Sequence, residues 1–433
     1  MKLFITVDLG FGDSGKGTMV DYLCKTHNAD WIVRYNGGAQ CGHNVQDGDF
    51  KHCFSQFGSG SQRPNVRTYI SPYVRFNPIS LIDEAMILAN KGVSRPLDRV
   101  WIDPETPIIT PFHVWANRAR EMARGEYKHG SCGKGIGELG ADLHFGMNDI
   151  IRAKELHDCY DKLKSIQIRK NAELDVAGIV KRNPQLTDPD QPEQIATAYR
   201  EMGEILNIGT PEIKGTTIFE GAQGVLLDEW VGFHPYTTWS TILPMQPSIL
   251  CPALGIDTSK CEELETIGIL RTYMTRHGVG PLPTETKNTN IWHHDECNCT
   301  NKWQDHFRFG WADLVLWHYA ISCCNRVLPI RFLAITHCDI FDHQFIQICN
   351  GYKDIETDDE FGGIQPPDEL IPEEQTIMTQ KLLHAWKPIY GGDFTDADDA
   401  REIIQANLEC NVKYMSFGPD VSQKKALDIP KRI

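Results

Sequence analysis

The chain has 433 residues, of which 41% are hydrophobic and 23% charged, and its formal net charge is -15. Such a length holds roughly three domains' worth of chain or one large α/β unit with insertions, and such a composition buries an ordinary core. The acidic balance argues against the basic face that a nucleic-acid or anionic-membrane surface needs, and no apolar run approaches the ~20 residues of a membrane span.

The first predicted element is a strand over residues 3–7, a short apolar run within "KLFITVDLG" that begins the chain with no cleavable signal pattern. It ends in "GFGDSGKGTMV", Gly10 to Val20, and a helix is predicted over 16–25. A second strand follows over 31–35. Strand, glycine loop, helix and strand in this order open a parallel α/β sheet, whose ligands lie at the carboxyl ends of the strands. Further strands are predicted over 100–103, 216–219, 267–273, 331–336 and 412–416. Several lead into polar or glycine-bearing turns: "EGAQG", "TRHGVG", "THCD" and "SFGPD". Between them, residues 111–124 read as a helix with Trp115, Ala119 and Met122 at helical spacing. Residues 396–410 read as another, with an Asp start and Ala400, Ile403, Ile404 and Leu408 on one face. The acidic, proline-containing run 354–374 reads as a solvated excursion.

The glycine loop poses a chemical question. From Gly10 it follows the phosphate-loop spacing G-x-x-x-x-G-K, in which bare backbone wraps phosphate oxygens. Yet Gly17 stands where Ser or Thr would hold magnesium, and an acid, Asp13, lies inside the cradle. His43, in "YNGGAQCGHN" after the second strand, belongs to a neighbouring loop at the same end of the sheet. A carboxylate and an imidazole there can divide base and acid roles. The bland alternative makes Asp13 a helix N-cap and His43 an ordinary loop histidine. Fourteen scattered cysteines, including the adjacent Cys323 and Cys324, read as reduced thiols of a cytoplasmic protein. The cluster "HHDECNC", His293 to Cys299, reads as a polar surface loop rather than a zinc site. Its cysteines are too close, and no second pair follows at a standard distance.

These motifs together carry a resemblance. "GFGDSGKGTMVDYL" with "VRYNGGAQCGHN" is similar to the N-terminal signature of the adenylosuccinate synthetase family. "PIITPFHVWANRARE", "GSCGKGIGE", "FEGAQGVLLD" with "PYTT", "TRHGVGPLPTE", "FRFGWAD" and "SFGPD" resemble its later blocks, in order and end to end. The resemblance implies one α/β domain over 1–433, a large mainly parallel sheet flanked by helices with inserted helical subregions. It implies a GTP-dependent ligase that phosphorylates O6 of a purine nucleotide, by default IMP, and displaces the phosphate with the amino group of aspartate. Asp13 would then remove the N1 proton, His43 would stabilise developing charge, and Lys16 would neutralise the transferring phosphoryl group. Magnesium would rest on Asp13 and the carbonyl of Gly42. GTP would be held by Gly12, Ser14, Gly15, Gly17, Thr18, Arg308, His337, Asp339, Ser416 and Gly418, with Asp339 reading the guanine. Gln40, Cys132, Lys134, Gln223 and Thr238 would face the purine nucleotide. The family also implies a homodimer.

The chain departs from the family pattern at several of these positions. Ser14 replaces a Glu, Gln40 an Asn, Cys132 a phosphate-binding Thr, and His337 a Lys. Gly146 falls where a neighbouring subunit normally lends an arginine to the nucleotide phosphate, so Lys134 is the candidate for that contact. The loop that grips aspartate is not recognisable in "NKWQDHFRFGW", where His306 stands for an arginine. A sibling ligase remains open, acting on another purine nucleotide such as a 2-amino purine of the viral branch, or on another amino acid. A GTP-binding regulatory protein without catalysis is the alternative of another class, and retention of Asp13, Lys16 and His43 favours the enzyme. A switch-type GTPase is disfavoured by Gly17 and by the lack of a clear Asn-Lys-x-Asp.

Overall fold

The computed structural model describes residues 1–125, 130–179, 189, 191–287, 307–368 and 371–429. Strand β1 (Lys2–Asp8), helix α1 (Lys16–His27) and strand β2 (Trp31–Arg34) form where the apolar runs predict them. Side chains of β1 alternate between two covered faces. Leu3, Ile5 and Val7 join one buried cluster, while Phe4 joins Met19, Val20 and Leu23 of α1 in another. Burial on both faces is why the run is apolar throughout rather than alternating.

β1 lies in the interior of a ten-stranded sheet. To one side come Thr217–Glu220, β2, Arg67–Ile70, Val100–Ile102 and Asn207–Ile208. To the other come Glu263–Arg271, Phe332–Thr336, Val412–Ser416 and Lys424–Ala426. The pairing of Lys424–Ala426 is antiparallel and the others are parallel. Parallel register sets Thr6 beside Glu220 and Asp8 beside Ile269, so the loops that leave these strands emerge together. They surround a crevice beyond the carboxyl end of β1, where ligands of open α/β sheets bind.

The strand expected over 267–273 starts four residues earlier, as Glu263–Arg271. Its two acids are tolerated because Lys2 pairs with Glu263 at 2.9 Å and the Tyr414 hydroxyl donates to Glu265 at 2.8 Å. Both expected helices form: Pro111–Arg124 behind Thr110, and Ala397–Leu408 behind Asp396, whose side chain accepts from two backbone N–H groups. The run 354–374 is not wholly a solvated excursion. Glu360–Phe361 pairs with Ile346–Asp354, and Phe361 sets its ring edge-on to Trp386 at 4.9 Å. One aromatic in an acidic run is enough to anchor it. His43 is likewise not in a loop but opens the strand His43–Asp47, which forms a hairpin with Phe50–Phe54. The cluster His293 to Cys299 and His306 lie outside the described residues. No described helix is long and apolar enough to cross a membrane.

Candidate active site

The glycine loop is drawn closed by Asp8, the last residue of β1. Its carboxylate accepts from the backbone N–H of Gly10 at 2.8 Å and of Ser14 at 3.0 Å, and from Lys16 Nζ at 2.8 Å. Both charged groups of this pair are buried. Thr336 donates to the Ser14 carbonyl at 2.9 Å, tying the loop to the next strand but one. The N-cap of α1 is Gly15, with φ 83 and no side-chain cap. The first N–H groups of α1 therefore point into the crevice without a carboxylate over them, which is a ready anion site. Asp13 is thus not a helix cap. It sits at φ 58, and its Oδ2 meets Nδ1 of His277 at 2.8 Å. Burial alone would raise its carboxyl. The bond to His277 and the charges of His277, Lys16 and Arg271 outweigh that and hold it below the usual carboxylate range.

His43 comes to the same crevice with a different partner. Its Nδ1 lies 2.5 Å from Oε1 of Glu220, the residue that ends the strand Thr217–Glu220. Glu220 also accepts from the Ser59 backbone at 2.9 Å, and the Arg34 guanidinium lies 3.9 Å away. Burial would raise the Glu220 carboxyl, but Arg34, His43 and Ser59 hold it down at about 2. Burial lowers the His43 imidazole, with the Glu220 charge opposing. Glu220 therefore accepts the hydrogen bond from Nδ1–H and leaves Nε2 as the working nitrogen. A Cβ on Gly17 would lie 2.6 Å from the Cβ of His43. That contact explains the missing Ser/Thr: the position gives up its side chain so that the histidine can close on the loop.

Asp13, Lys16, Gly42 and His43 line one cleft of about 1870 Å³, together with Gly12, Gly15, Gly17, Thr18, Gln40, Cys132, Gln223, Thr238, His337, Asp339, Ser416 and Gly418. A single small-ligand pocket spans about 300–1,000 Å³, so this cleft has room for more than one ligand. Gln40 keeps both amide atoms, and Gln223 its carbonyl oxygen, buried with no hydrogen-bond partner among the described residues. Buried polar atoms left this way are costly unless a ligand completes them. Gly224 lets the Gln223 turn press on the glycine loop, since a Cβ there would meet the Gly10 carbonyl at 2.2 Å. On the far wall, Ser416 donates to the Gly418 carbonyl at 3.1 Å, and Thr18 of α1 to that of Pro419 at 3.1 Å. Lys424 Nζ binds the carbonyls of Gly418, Pro419 and Asp420, and burial pushes it down to about 8. His337, at φ 58, bonds Thr336 through Nδ1.

Three expected contacts lie elsewhere. Arg308 forks onto Glu285 and donates to the carbonyls of Gly278 and Gly280 at 3.0 and 2.8 Å, so it braces a turn behind the cleft. Lys134 is exposed and Ser14 is buried, its backbone N–H on Asp8, and neither lines the cleft. Asp8, Glu220 and His277 are the residues that sequence reasoning passed over. Among the described residues no cluster of three or more His, Cys, Asp or Glu could hold a metal by itself. One carboxylate, Asp13, and the Gly42 carbonyl do suit magnesium. It takes hard oxygens at one or two protein positions and leaves the rest to phosphate and water.

A family model described as adenylosuccinate synthetase matches residues 5–424. Adenylosuccinate synthetase of Malacoplasma penetrans is 29% identical over 446 residues, covering 98% of this chain and 98% of that protein. The fully ligated adenylosuccinate synthetase from Plasmodium falciparum has a TM-score of 0.77 at 19% identity, covering 99% of this chain and 100% of that one. The succinoaminodeoxyadenylate synthetase of cyanophage S-2L, solved with dGMP and dATP, has a TM-score of 0.58 at 16% identity, covering 99% and 96%. At these identities the two structures speak for a common fold.

Proposed function

Since the chain belongs to the adenylosuccinate synthetase family, we propose that its cleft joins IMP to aspartate at the expense of GTP, giving adenylosuccinate, GDP and phosphate. The enzyme is a ligase of the GDP-forming type. The observation that carries the residue-level reading is the convergence of Asp13, Lys16 and His43 on one cleft, where among the described residues the Gln40 amide and the Gln223 carbonyl oxygen have no hydrogen-bond partner.

In this reading Asp13 takes the N1 proton of the purine, and O6 becomes the nucleophile toward the γ-phosphoryl group. Phosphoryl transfer needs positioning and charge neutralisation more than covalent help. Lys16 supplies charge at the phosphate loop, shared with Asp8, and the open N-terminus of α1 supplies backbone donors. His43, oriented by Glu220, faces the charge that develops between donor and acceptor. The amino group of aspartate then adds at C6, phosphate leaves, and the amine gives up a proton. Bound magnesium would be held by Asp13 and Gly42 and would offset phosphate charge. Asp339 reads the donor base: guanine offers two N–H donors to a carboxylate, whereas adenine presents an acceptor there.

A second reading is a sibling reaction on a 2-amino purine nucleotide, left open because Gln40 and Cys132 line the cleft where the family pattern has Asn and Thr. One assay separates the two. The purified chain is incubated with magnesium, GTP or ATP, a panel of purine monophosphates and a panel of amino acids, and phosphate release is measured. Release is expected with GTP, IMP and aspartate. Release only with dGMP establishes the sibling, equal rates with ATP remove the role of Asp339, and silence across the panel defeats the reading.

A further inference from the structure

We propose that His277 is the positioning residue for the acid of the glycine loop: it holds the Asp13 carboxylate with one oxygen turned to the purine. This deepens the ligase reading and rests on it. Asp13 stands at φ 58, a left-handed conformation that L-residues other than Asn and Asp rarely adopt. Among the described residues no hydrogen bond from the loop orients its side chain. Asp8 takes the neighbouring N–H groups, and the N-cap position belongs to Gly15. Among the described residues the carboxylate makes its hydrogen bond to His277, which lies 264 positions away in sequence.

His277 is itself placed with little freedom. It ends the strand Met274–His277, opposite Phe307 of the strand Phe307–Gly310, and its ring rests on the Phe307 ring with centroids 4.5 Å apart. Arg276 fixes the turn that follows by donating to the carbonyls of Val279, Pro281 and Tyr236 at 3.0–3.1 Å. The same guanidinium lies 4.3 Å over the ring of Phe11, a residue of the glycine loop. Arg308 holds the Gly278 carbonyl from the other side at 3.0 Å. The hairpin and the glycine loop are therefore clamped side by side, and the imidazole is the point where the clamp reaches the acid. With Nδ1–H given to Oδ2, the second carboxylate oxygen is left for the substrate, and its direction is set by a rigid neighbour. A base held in this way gains through orientation, since small misplacements of a reacting group are expensive in rate.

The test compares His277→Val, which removes the donor, with His277→Asn, whose amide N–H sits where Nδ1–H does. Turnover of the valine variant is expected to fall at least ~10-fold with KM for both nucleotides within about 2-fold, because the interaction acts on the reacting group and not on binding. His277→Asn is expected to recover most of the loss, and His277→Val is expected to add nothing in an Asp13→Asn background. If the valine variant melts early, His277→Leu, nearer the ring in volume, replaces it. Wild-type turnover in the variant lacking the donor, an Asn variant as slow as the Val variant, or a change in KM alone overturns the proposal. Wild-type protein that releases no phosphate with any substrate pair overturns the ligase reading beneath it, so the two failures are distinct.

Discussion

A methyl group on residue 17 would lie 2.6 Å from the Cβ of His43, closer than real side chains approach. Restoring the Ser that a phosphate loop normally carries there should therefore harm this protein. Gly17→Ser is expected to cost ~1–3 kcal/mol by overpacking and to pull His43 off Glu220. A thermal melt and a turnover assay check this, and a variant as stable and active as the parent would refute the contact. Asp13 calls for the opposite pairing of outcomes. Asn tolerates the left-handed conformation and still accepts from His277, so Asp13→Asn should change stability by less than about 1 kcal/mol. Its amide cannot take a proton, and turnover should fall by at least ~10²-fold while donor binding survives. Near-normal turnover would remove Asp13 from the mechanism. At this scale the sequence exposed the loop residues and hid their partners. Asp13 and His43 stand in glycine-rich motifs, but Glu220 and His277 matter only through neighbours 177 and 264 positions away.

At the scale of elements, β1, α1 and β2 were legible because runs buried on both faces are apolar without interruption and end at glycines. The hairpin from His43 to Phe54 was not, since "HNVQDGDFKHCF" alternates polar residues with few apolar ones. The helix Leu314–Asn325 was also missed: it is buried nearly all round, so it shows no stripe to detect. Lys424 acts at this scale, with one ammonium gathering three carbonyls of the loop 418–420 against α1. Burial lowers its proton affinity to about 8, from about 10.4 in an unfolded chain. Folding therefore opposes its charge. That destabilising contribution is complete below about 8 and is relieved as pH rises from there toward the unfolded value. The loop fares the other way, because over the same window the ammonium loses its charge and one of the three N–H groups it gives to the carbonyls. KM for the donor nucleotide is expected to climb as pH passes about 8 without a matching fall in melting temperature. Lys424→Met is expected to show a high KM with no such climb. A flat profile in the parent would show that the ammonium does not order the wall.

At the scale of the molecule, the fold was legible as a large, mainly parallel sheet, but the number of its strands was not. Edge strands such as Asn207–Ile208 are too short to register as a pattern. A homodimer is expected from family membership, with exposed Lys134, which does not line the cleft of its own chain, reaching the nucleotide phosphate of the neighbouring subunit. A monomer by light scattering at micromolar concentration would end that expectation, and an unchanged acceptor KM in Lys134→Ala would end the lysine's part in it. The buried ion pair beneath the glycine loop has a consequence for the whole cycle. The loop lysine is paired with Asp8, so an anion at the loop competes with a carboxylate for the ammonium rather than meeting an open charge. Inorganic phosphate titrated into the assay is expected to compete only weakly with the donor, and strong competition would mean the lysine stands free. A lone phosphate offers the ammonium little beyond what Asp8 already gives, whereas a triphosphate can reach it and rest its remaining charge on the start of α1. The stored pair thus sets an entry threshold, one that admits the donor and turns away the by-product each turnover leaves behind.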